Sequence, residues 1–269
     1  MTRSKFRLIV DDALDSYLNM GIDEALLLSC ERREGLFPSI RFYRWEIPTL
    51  SFGYNQRYSL AVDENYCREN GINIVRRPTG GRAVLHDIEV TYSVVGRTDD
   101  PQLGDSVLET YRLISLALAK GFTKLGIEAE LITPHKASPG RRGRIGTNPC
   151  FFSPSRYELA VSGNKIVGSA QKRGRGAFLQ HGSIPLDIDI PKLLGATGHS
   201  SLPSGYSLTS VNEAAGRDVS PDELIEALSA GFSEVFNADL IREELTEKEA
   251  EEAGLLREKY MSPEWNKRI

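Results

Sequence analysis

The stretch from Ile72 to Val95 constrains the fold more than any other. It reads as three consecutive strands, Ile72–Arg77, Arg82–His86 and Glu89–Val95, joined by Pro78-Thr79-Gly80-Gly81 and by Asp87-Ile88. Two strand-like runs precede it, Ile40–Trp45 and Thr49–Tyr54. The proline in their connector, Glu46-Ile47-Pro48, keeps that connector out of a central ladder. Three more runs come later: Tyr157–Val161, Lys165–Lys172 and Phe178–Ile184, the first two joined by the turn Ser162-Gly163-Asn164. Helical patterns separate these groups. From Leu18 to Glu34, Ile22, Leu26 and Cys30 share one face, with Gly35 where a C-cap belongs. Asp63 is placed to cap a short helix ending near Asn70-Gly71. After Asp105 a long amphipathic helix carries the stripe Val107, Tyr111, Ile114, Leu118, Phe122 and Leu125 and stops at Gly126. From about residue 220 the pattern is helical. Ser220-Pro221-Asp222-Glu223 and Thr246-Glu247-Lys248-Glu249 both have capping-box order, the first with proline at the opening helical position. Strands in runs with helices between them predict an α+β domain around a mixed or antiparallel sheet. No repeat or linker divides residues 1–269, so a single domain ending in a small helical segment is expected.

Composition narrows the function classes. With 40% hydrophobic and 26% charged residues, the chain has ordinary globular proportions, and 269 residues bury a core without staples. A net charge of −4 gives no general reason to bind nucleic acid. The cysteines, Cys30, Cys67 and Cys150, are three in number and far apart, so neither a disulfide framework nor a zinc site is expected. The opening residues lack the apolar core of a signal peptide, and no apolar run approaches the ~20 residues of a membrane span. These features together predict a reduced cytoplasmic protein with no membrane and no nucleic-acid partner.

Three segments carry candidate chemistry. Arg76-Arg77-Pro78-Thr79-Gly80-Gly81-Arg82-Ala83-Val84-Leu85-His86-Asp87 sets paired glycines among arginines, Thr79 and His86. Such a turn lets backbone approach a ligand closely and suits an anionic or polar head group, although composition alone favours a plain hairpin with solvated arginines. Gly163-Asn164-Lys165-Ile166-Val167-Gly168-Ser169-Ala170-Gln171 opens a strand on a lysine. As one continuous strand it puts Lys165, Val167 and Ser169 on one face, with Gly168 and Ala170 leaving room for a chain on the other. A solvated edge lysine is the simpler reading of that segment taken alone. Cys150 closes a basic stretch, Pro134–Pro149, that holds three glycines, three prolines and the basic residues Lys136, Arg141, Arg142 and Arg144. It reads as a long loop, a kind of segment more often functional or disordered than idle. A thiol titrates near ~8.5 and is activated by nearby cations, which makes Cys150 the best nucleophile of the three cysteines. Cys30 and Cys67 sit on helical patterns that core packing explains. His181 reads as structural on general grounds. Lys172-Arg173-Gly174-Arg175 adds a further group of charges to the basic loop.

Taken together, these segments resemble the lipoate/biotin protein ligase superfamily (BPL/LPL catalytic domain), and within it most closely the octanoyl-acyl-carrier-protein:protein N-octanoyltransferases. The resemblance runs nearly end to end. It takes in Asn19-Met20-Gly21-Ile22-Asp23-Glu24-Ala25, Ser51-Phe52-Gly53-Tyr54-Asn55-Gln56, both central motifs, Leu179-Gln180-His181-Gly182-Ser183-Ile184 and Glu264-Trp265-Asn266. It implies a single α+β catalytic domain with a mixed, largely antiparallel sheet flanked by helices. The family's lysine falls on Lys165, and the nucleophile of the transferase branch falls on Cys150. The pocket wall falls on Arg77, Thr79, Gly80, Gly81 and His86, with Gly168 and Ser169 opposite.

The implied reaction has two steps. The Cys150 thiolate attacks the thioester of octanoyl-acyl carrier protein, with Lys165 lowering the thiol's proton affinity and stabilising the oxyanion. A lysine of a lipoyl carrier domain, such as glycine cleavage H protein or a 2-oxoacid dehydrogenase E2, then takes the octanoyl group as an amide. Neither ATP nor a metal is required on this reading. The family offers two alternatives: an ATP-dependent lipoate–protein ligase using ATP and magnesium, and an octanoyl or lipoyl amidotransferase between carrier domains. Arg82 stands where the ligases usually have a third glycine, and the chain stops soon after Trp265, where many ligases carry or recruit an accessory domain. Both features lean towards the transferase. A non-catalytic carrier-binding protein and an RNA-binding reading of Arg141-Arg142-Gly143-Arg144 are weaker still.

Overall fold

The computed structural model describes residues 3–35, 37–132, 158–202 and 207–269. Its centre is a six-stranded mixed sheet built from β1 (Ser4–Leu14), β2 (Ser39–Trp45), β6 (Glu89–Arg97), β10 (Gly168–Arg173), β11 (Ala177–Pro185) and β12 (Ala238–Arg242). Across the sheet the order is β10-β11-β6-β2-β1-β12. The pairs from β10 to β2 are antiparallel, whereas β1 runs parallel to both β2 and β12. A mixed, largely antiparallel sheet was the expectation. Two of its strands, β1 and β12, have no counterpart in the sequence reading. β12 places a strand inside the segment expected to be helical, so the C-terminal region is woven into the sheet.

Strand alternation divides the side chains between two layers. On one face Phe6, Ile40, Phe42, Val90, Tyr92, Val94 and Phe178 pack against α4 (Val107–Lys124) and α7 (Pro221–Val235). On the other, Ile9, Val95 and Leu179 pack against Ile22, Leu26 and Leu27 of α1 (Ser16–Glu31), with Ala253 of α8 (Glu247–Met261) beyond. The stripe of α4 meets the core through Ile114, Leu118 and Phe122, all fully buried, while Val107 is exposed in the first turn. Capping follows the sequence closely. Asp15 caps α1, Asp63 caps α3 (Glu64–Glu69), Ser220 caps α7, and Thr246 with Glu249 completes a capping box on α8. The end of α1 differs from expectation. It closes at Arg32, and Arg33, not Gly35, takes the left-handed conformation at φ 57.

Two small sheets flank the main one. In the first, β3 (Thr49–Phe52) lies between β4 (Asn73–Arg76), parallel, and β5 (Val84–His86), antiparallel. The three runs between Ile72 and Val95 are therefore not one meander: β4 and β5 each pair with β3, and β6 enters the large sheet. In the second, β7 (Glu130–Ile132), β8 (Glu158–Val161) and β9 (Asn164–Lys165) are antiparallel. The run Lys165–Lys172 is likewise broken. Ile166 and Val167 are buried between β9 and β10, which belong to different sheets, so Lys165 and Ser169 do not share a strand face.

Candidate active site

Where the α1-facing side of the large sheet approaches the small sheet of β3 to β5, its residues change character. Arg41, Tyr43 and Trp45 on β2, Thr91 and Ser93 on β6, and His181 and Ser183 on β11 replace the aliphatic residues found further along the same face. Between these strands lies a pocket with about 360 Å³ of empty space, part of it open to solvent. Its walls include Met20, Tyr43, Trp45, Ser51, Val84 and Ala170, with Gly168, Ser169 and Gly182 supplying backbone. Arg77 and His86 also line it.

Two hydrogen-bonded chains run beneath the wall. In the first, His181 Nδ1 donates to Asp23 Oδ2 at 2.9 Å, and the Thr79 hydroxyl lies 2.7 Å from Nε2. Asp23 also accepts from Arg41 at 3.1 Å and from the Tyr43 hydroxyl at 3.0 Å. Burial depresses the proton affinity of His181 against the opposing pull of Asp23, so the ring stays neutral and Nε2 accepts from Thr79. Burial pushes the Asp23 carboxyl up, but the His181 hydrogen bond and the Arg41 charge outweigh it and hold the group below the usual carboxylate range. In the second chain, His86 Nδ1 faces Glu89 Oε1 at 2.8 Å and Nε2 lies 2.8 Å from Ser51 Oγ. Glu89 also accepts from the Thr91 and Ser183 hydroxyls. Trp45 donates its indole N–H to Thr91 at 2.8 Å and stacks on His86 with ring centres 4.1 Å apart. For Glu89 too, burial raises the proton affinity, yet His86 and the two hydroxyls bring it below the ordinary value.

These chains decide what the cavity can hold. The polar side chains of its wall spend their donors and acceptors on one another, so the space itself is bounded mainly by carbon. Such a surface accepts an aliphatic chain rather than a polar metabolite.

The paired-glycine turn is tied down rather than open. The Arg77 guanidinium donates to the carbonyls of Ser51, Gly80 and Arg82 and to Ser51 Oγ. Gly81 has φ 88, and its carbonyl comes so close to Gly53 that a Cβ there would stand 2.0 Å from it. Arg76 is fully buried and turned away from the cavity. It donates to the carbonyls of Gly53, Tyr54, Gln56, Trp265 and Asn266, while Trp265 Nε1 donates to the Arg76 carbonyl at 2.8 Å. The Trp265-Asn266 pair near the C-terminus thus anchors the strand that leads into the turn.

Of the residues expected at the pocket, Arg77, His86, Gly168 and Ser169 line it. The Ser169 hydroxyl points through the sheet to the Tyr92 hydroxyl at 2.8 Å, so this residue contributes backbone to the wall. Thr79, Gly80 and Gly81 stand one layer back, Thr79 behind His181 and the glycines in the turn held by Arg77. His181, read from sequence as structural, both lines the pocket and holds Thr79. Met20 and Ser51 fall within matching segments and Tyr43, Trp45 and Thr91 within strand runs, but no local motif marks any of the five as pocket wall. Asp23 was quoted within a matching segment, but nothing local marks it as the anchor of His181. Lys165 is buried, and its Nζ lies 2.6 Å from Glu158 Oε1. Cys150 and the basic residues Lys136, Arg141, Arg142 and Arg144 lie outside the described residues. In the second basic group, Arg173 donates to Thr110 Oγ1 at 2.8 Å and leans on Phe178, Lys172 is half-buried, and Arg175 is exposed.

Residues 15–233 match the family described as the lipoyl protein ligase A/B catalytic domain. The octanoyltransferase LipM of Kyrpidia tusciae is 44% identical over 258 residues, covering 93% of this chain and 94% of its own. The octanoyltransferase LipM of Moorella thermoacetica is 39% identical over 277 residues, 100% of both chains. Among solved structures, a lipoate-protein ligase A bound with ATP superposes with a TM-score of 0.79 at 29% identity, covering 99% of each chain. The bipartite lipoate protein ligase of Thermoplasma acidophilum, studied with its E2 lipoyl domain, gives 0.77 at 27% identity, covering 98% of this chain and 96% of its own.

Proposed function

Because the chain belongs to the lipoyl protein ligase A/B catalytic-domain family and is an octanoyltransferase of protein lipoylation like its relatives, we propose that it takes octanoyl from octanoyl-acyl carrier protein, carries it as a thioester on Cys150, and delivers it to a lysine of a lipoyl carrier domain. The observation that carries this reading is the carbon-lined pocket beside the strand that follows Lys165. An eight-carbon chain is the kind of guest that such walls favour.

The chemistry proceeds by acyl exchange. The Cys150 thiolate attacks the donor carbonyl, the carbon–sulfur bond to the carrier breaks, and the leaving thiolate takes a proton. The acceptor amine then attacks the new thioester, loses its proton, and releases Cys150. Lys165 supplies positive charge to the tetrahedral intermediates. Exchange between thioesters is roughly neutral and thioester-to-amide transfer runs downhill, so the cycle closes without ATP or a metal. The charges of Lys172, Arg175, Arg141 and Arg142 attract the acidic donor carrier and raise its encounter rate more than its final affinity. A transfer rate insensitive to salt and to charge reversal at Arg141 and Arg142 would remove that docking role.

The likeness to solved lipoate ligases, one of them holding ATP, favours a second reading, ATP-dependent ligation of the free acid. The two part in one assay. Octanoylation of a lipoyl domain is followed with octanoyl-acyl carrier protein alone and, separately, with octanoate, ATP and magnesium. Product from the carrier-bound donor alone is the expected outcome, and product only from the second mixture makes the chain a ligase.

A further inference from the structure

We propose that Glu158 is the positioning residue of Lys165: its carboxylate holds the buried ammonium in one place, ready to protonate the thiolate that leaves in acyl transfer. The inference deepens the reading above and rests on Lys165 serving that reaction.

The placement follows from the hairpin. Ser162 at φ 50 and Gly163 at φ 82 form a two-residue turn with both central residues left-handed, the geometry that matches the twist of paired strands. That turn sets Asn164 opposite Val161 and Lys165 opposite Ala160. Glu158, two residues before Ala160, therefore lies on the same face as Lys165 and meets it diagonally. Nζ and Oε1 are 2.6 Å apart, with only 8% and 5% of the two side chains exposed. The lysine backbone is clamped as well: its N–H donates to the Ser207 carbonyl at 3.1 Å, and its carbonyl accepts from Thr209 N–H at 3.0 Å. Both backbone and ammonium are thus fixed before any substrate arrives.

Burial drives a lysine towards its neutral form, and an adjacent carboxylate opposes that drive. Glu130 on β7 stands in register with Ala160 on the same face but is exposed, and the Glu213 carboxylate accepts from the Thr209 hydroxyl at 2.8 Å. Held in place by Glu158, Lys165 acts as an acid. As the donor's carbon–sulfur bond breaks, Nζ gives a proton to the leaving thiolate and becomes an amine. It recovers that proton from the acceptor amine in the second half-reaction, in which Cys150 leaves again as a thiolate, so no proton is lost over the cycle.

The test is the pH dependence of octanoyl transfer from octanoyl-acyl carrier protein to a lipoyl domain, measured for wild type, Glu158→Gln, Glu158→Asp and Lys165→Met. Glu158→Gln is expected to lower kcat by about 100-fold, the scale of general acid catalysis. Its alkaline limb should move to lower pH, with donor KM within about twofold, and Glu158→Asp should recover much of the rate and restore the limb. A Glu158→Gln profile that overlays wild type overturns the proposal. So does a loss of rate that tracks loss of folded protein by circular dichroism with no movement of the limb. Should Lys165→Met keep the wild-type rate, the failure belongs to the assignment of Lys165 itself.

Discussion

The two faces of the large sheet are made from the same strands, yet they do different work. Towards α4 and α7 the side chains are almost entirely apolar and close a continuous core around Phe42, Phe122 and Phe232. Towards α1 the face begins in the same way, with Ile9, Val95 and Leu179. It then turns to Arg41, Tyr43, Thr91, His181 and Ser183, all buried and joined to Asp23 or Glu89. Burying that many polar groups adds less stability than the number of hydrogen bonds suggests, since each replaces one to water. Its effect is geometric. Side chains locked to one another cannot collapse into the cavity they surround, and the space stays open for an acyl chain. One face spends burial on stability, and the other spends it on shape.

Substitutions on the two faces should therefore fail differently. Asp23→Ala leaves the Arg41 guanidinium buried without its inner partner and frees both Tyr43 and His181. A loss of about 3–5 kcal/mol is expected, together with weaker octanoyl transfer in the protein that remains folded; equilibrium urea unfolding and initial rates measure the two parts. Phe232→Ala, on the opposite face, is expected to cost about 3–5 kcal/mol through the cavity it leaves, with donor KM unchanged below the melting transition. Equal losses of transfer in both variants would break the comparison. Ala170→Leu intrudes on the cavity without touching the core, and about 10- to 200-fold in kcat/KM is expected for a pocket altered by a few methylenes, with little change in melting temperature.

The buried chains also give stability a pH dependence with a definite sign. His181 is held below the usual imidazole range, mainly by burial, so the unfolded chain takes up that proton at a higher pH than the folded one. Stability is then lost as pH falls through about 6.5 towards the folded value. Asp23 and Glu89 are also depressed below their ordinary values, and a second loss follows as pH drops below about 4. Melting temperatures across this range should show both steps, with the first absent in His181→Gln. The smallest effect is expected away from both faces: Thr246→Ala removes a capping box for about 1 kcal/mol and leaves transfer unchanged.

Local chemistry was legible in the sequence, and pairing between distant strands was not. The stripe of α4, the caps at Asp63 and Thr246 and the turn at Ser162-Gly163 all depend on residues a few positions apart. β1 escaped because its pattern is crossed by Arg7, whose buried guanidinium is met by Glu249 on α8 and by the Glu244 carbonyl, more than two hundred residues away. β12 is five residues long and stands between two helices, too short to carry a period of its own. At the site, the glycine turn and the lysine strand announce themselves as motifs. Met20, Tyr43, Trp45 and Ser51 meet only through the register of the sheets, and Glu158 acquires a role only once the hairpin sets it against Lys165. The break at Ile166-Val167 was hidden for a related reason. Both residues are apolar and suit a continuous strand, and only the assembled core shows them filling the gap between two sheets.

The most direct test of the account is intact mass spectrometry of the purified protein after incubation with octanoyl-acyl carrier protein in the absence of ATP, with Cys150→Ala alongside. The expected result is a single octanoyl adduct on wild type alone, released by hydroxylamine as a thioester is. Absence of any adduct, with lipoyl-domain lysine modified only when octanoate and ATP are supplied together, would contradict it.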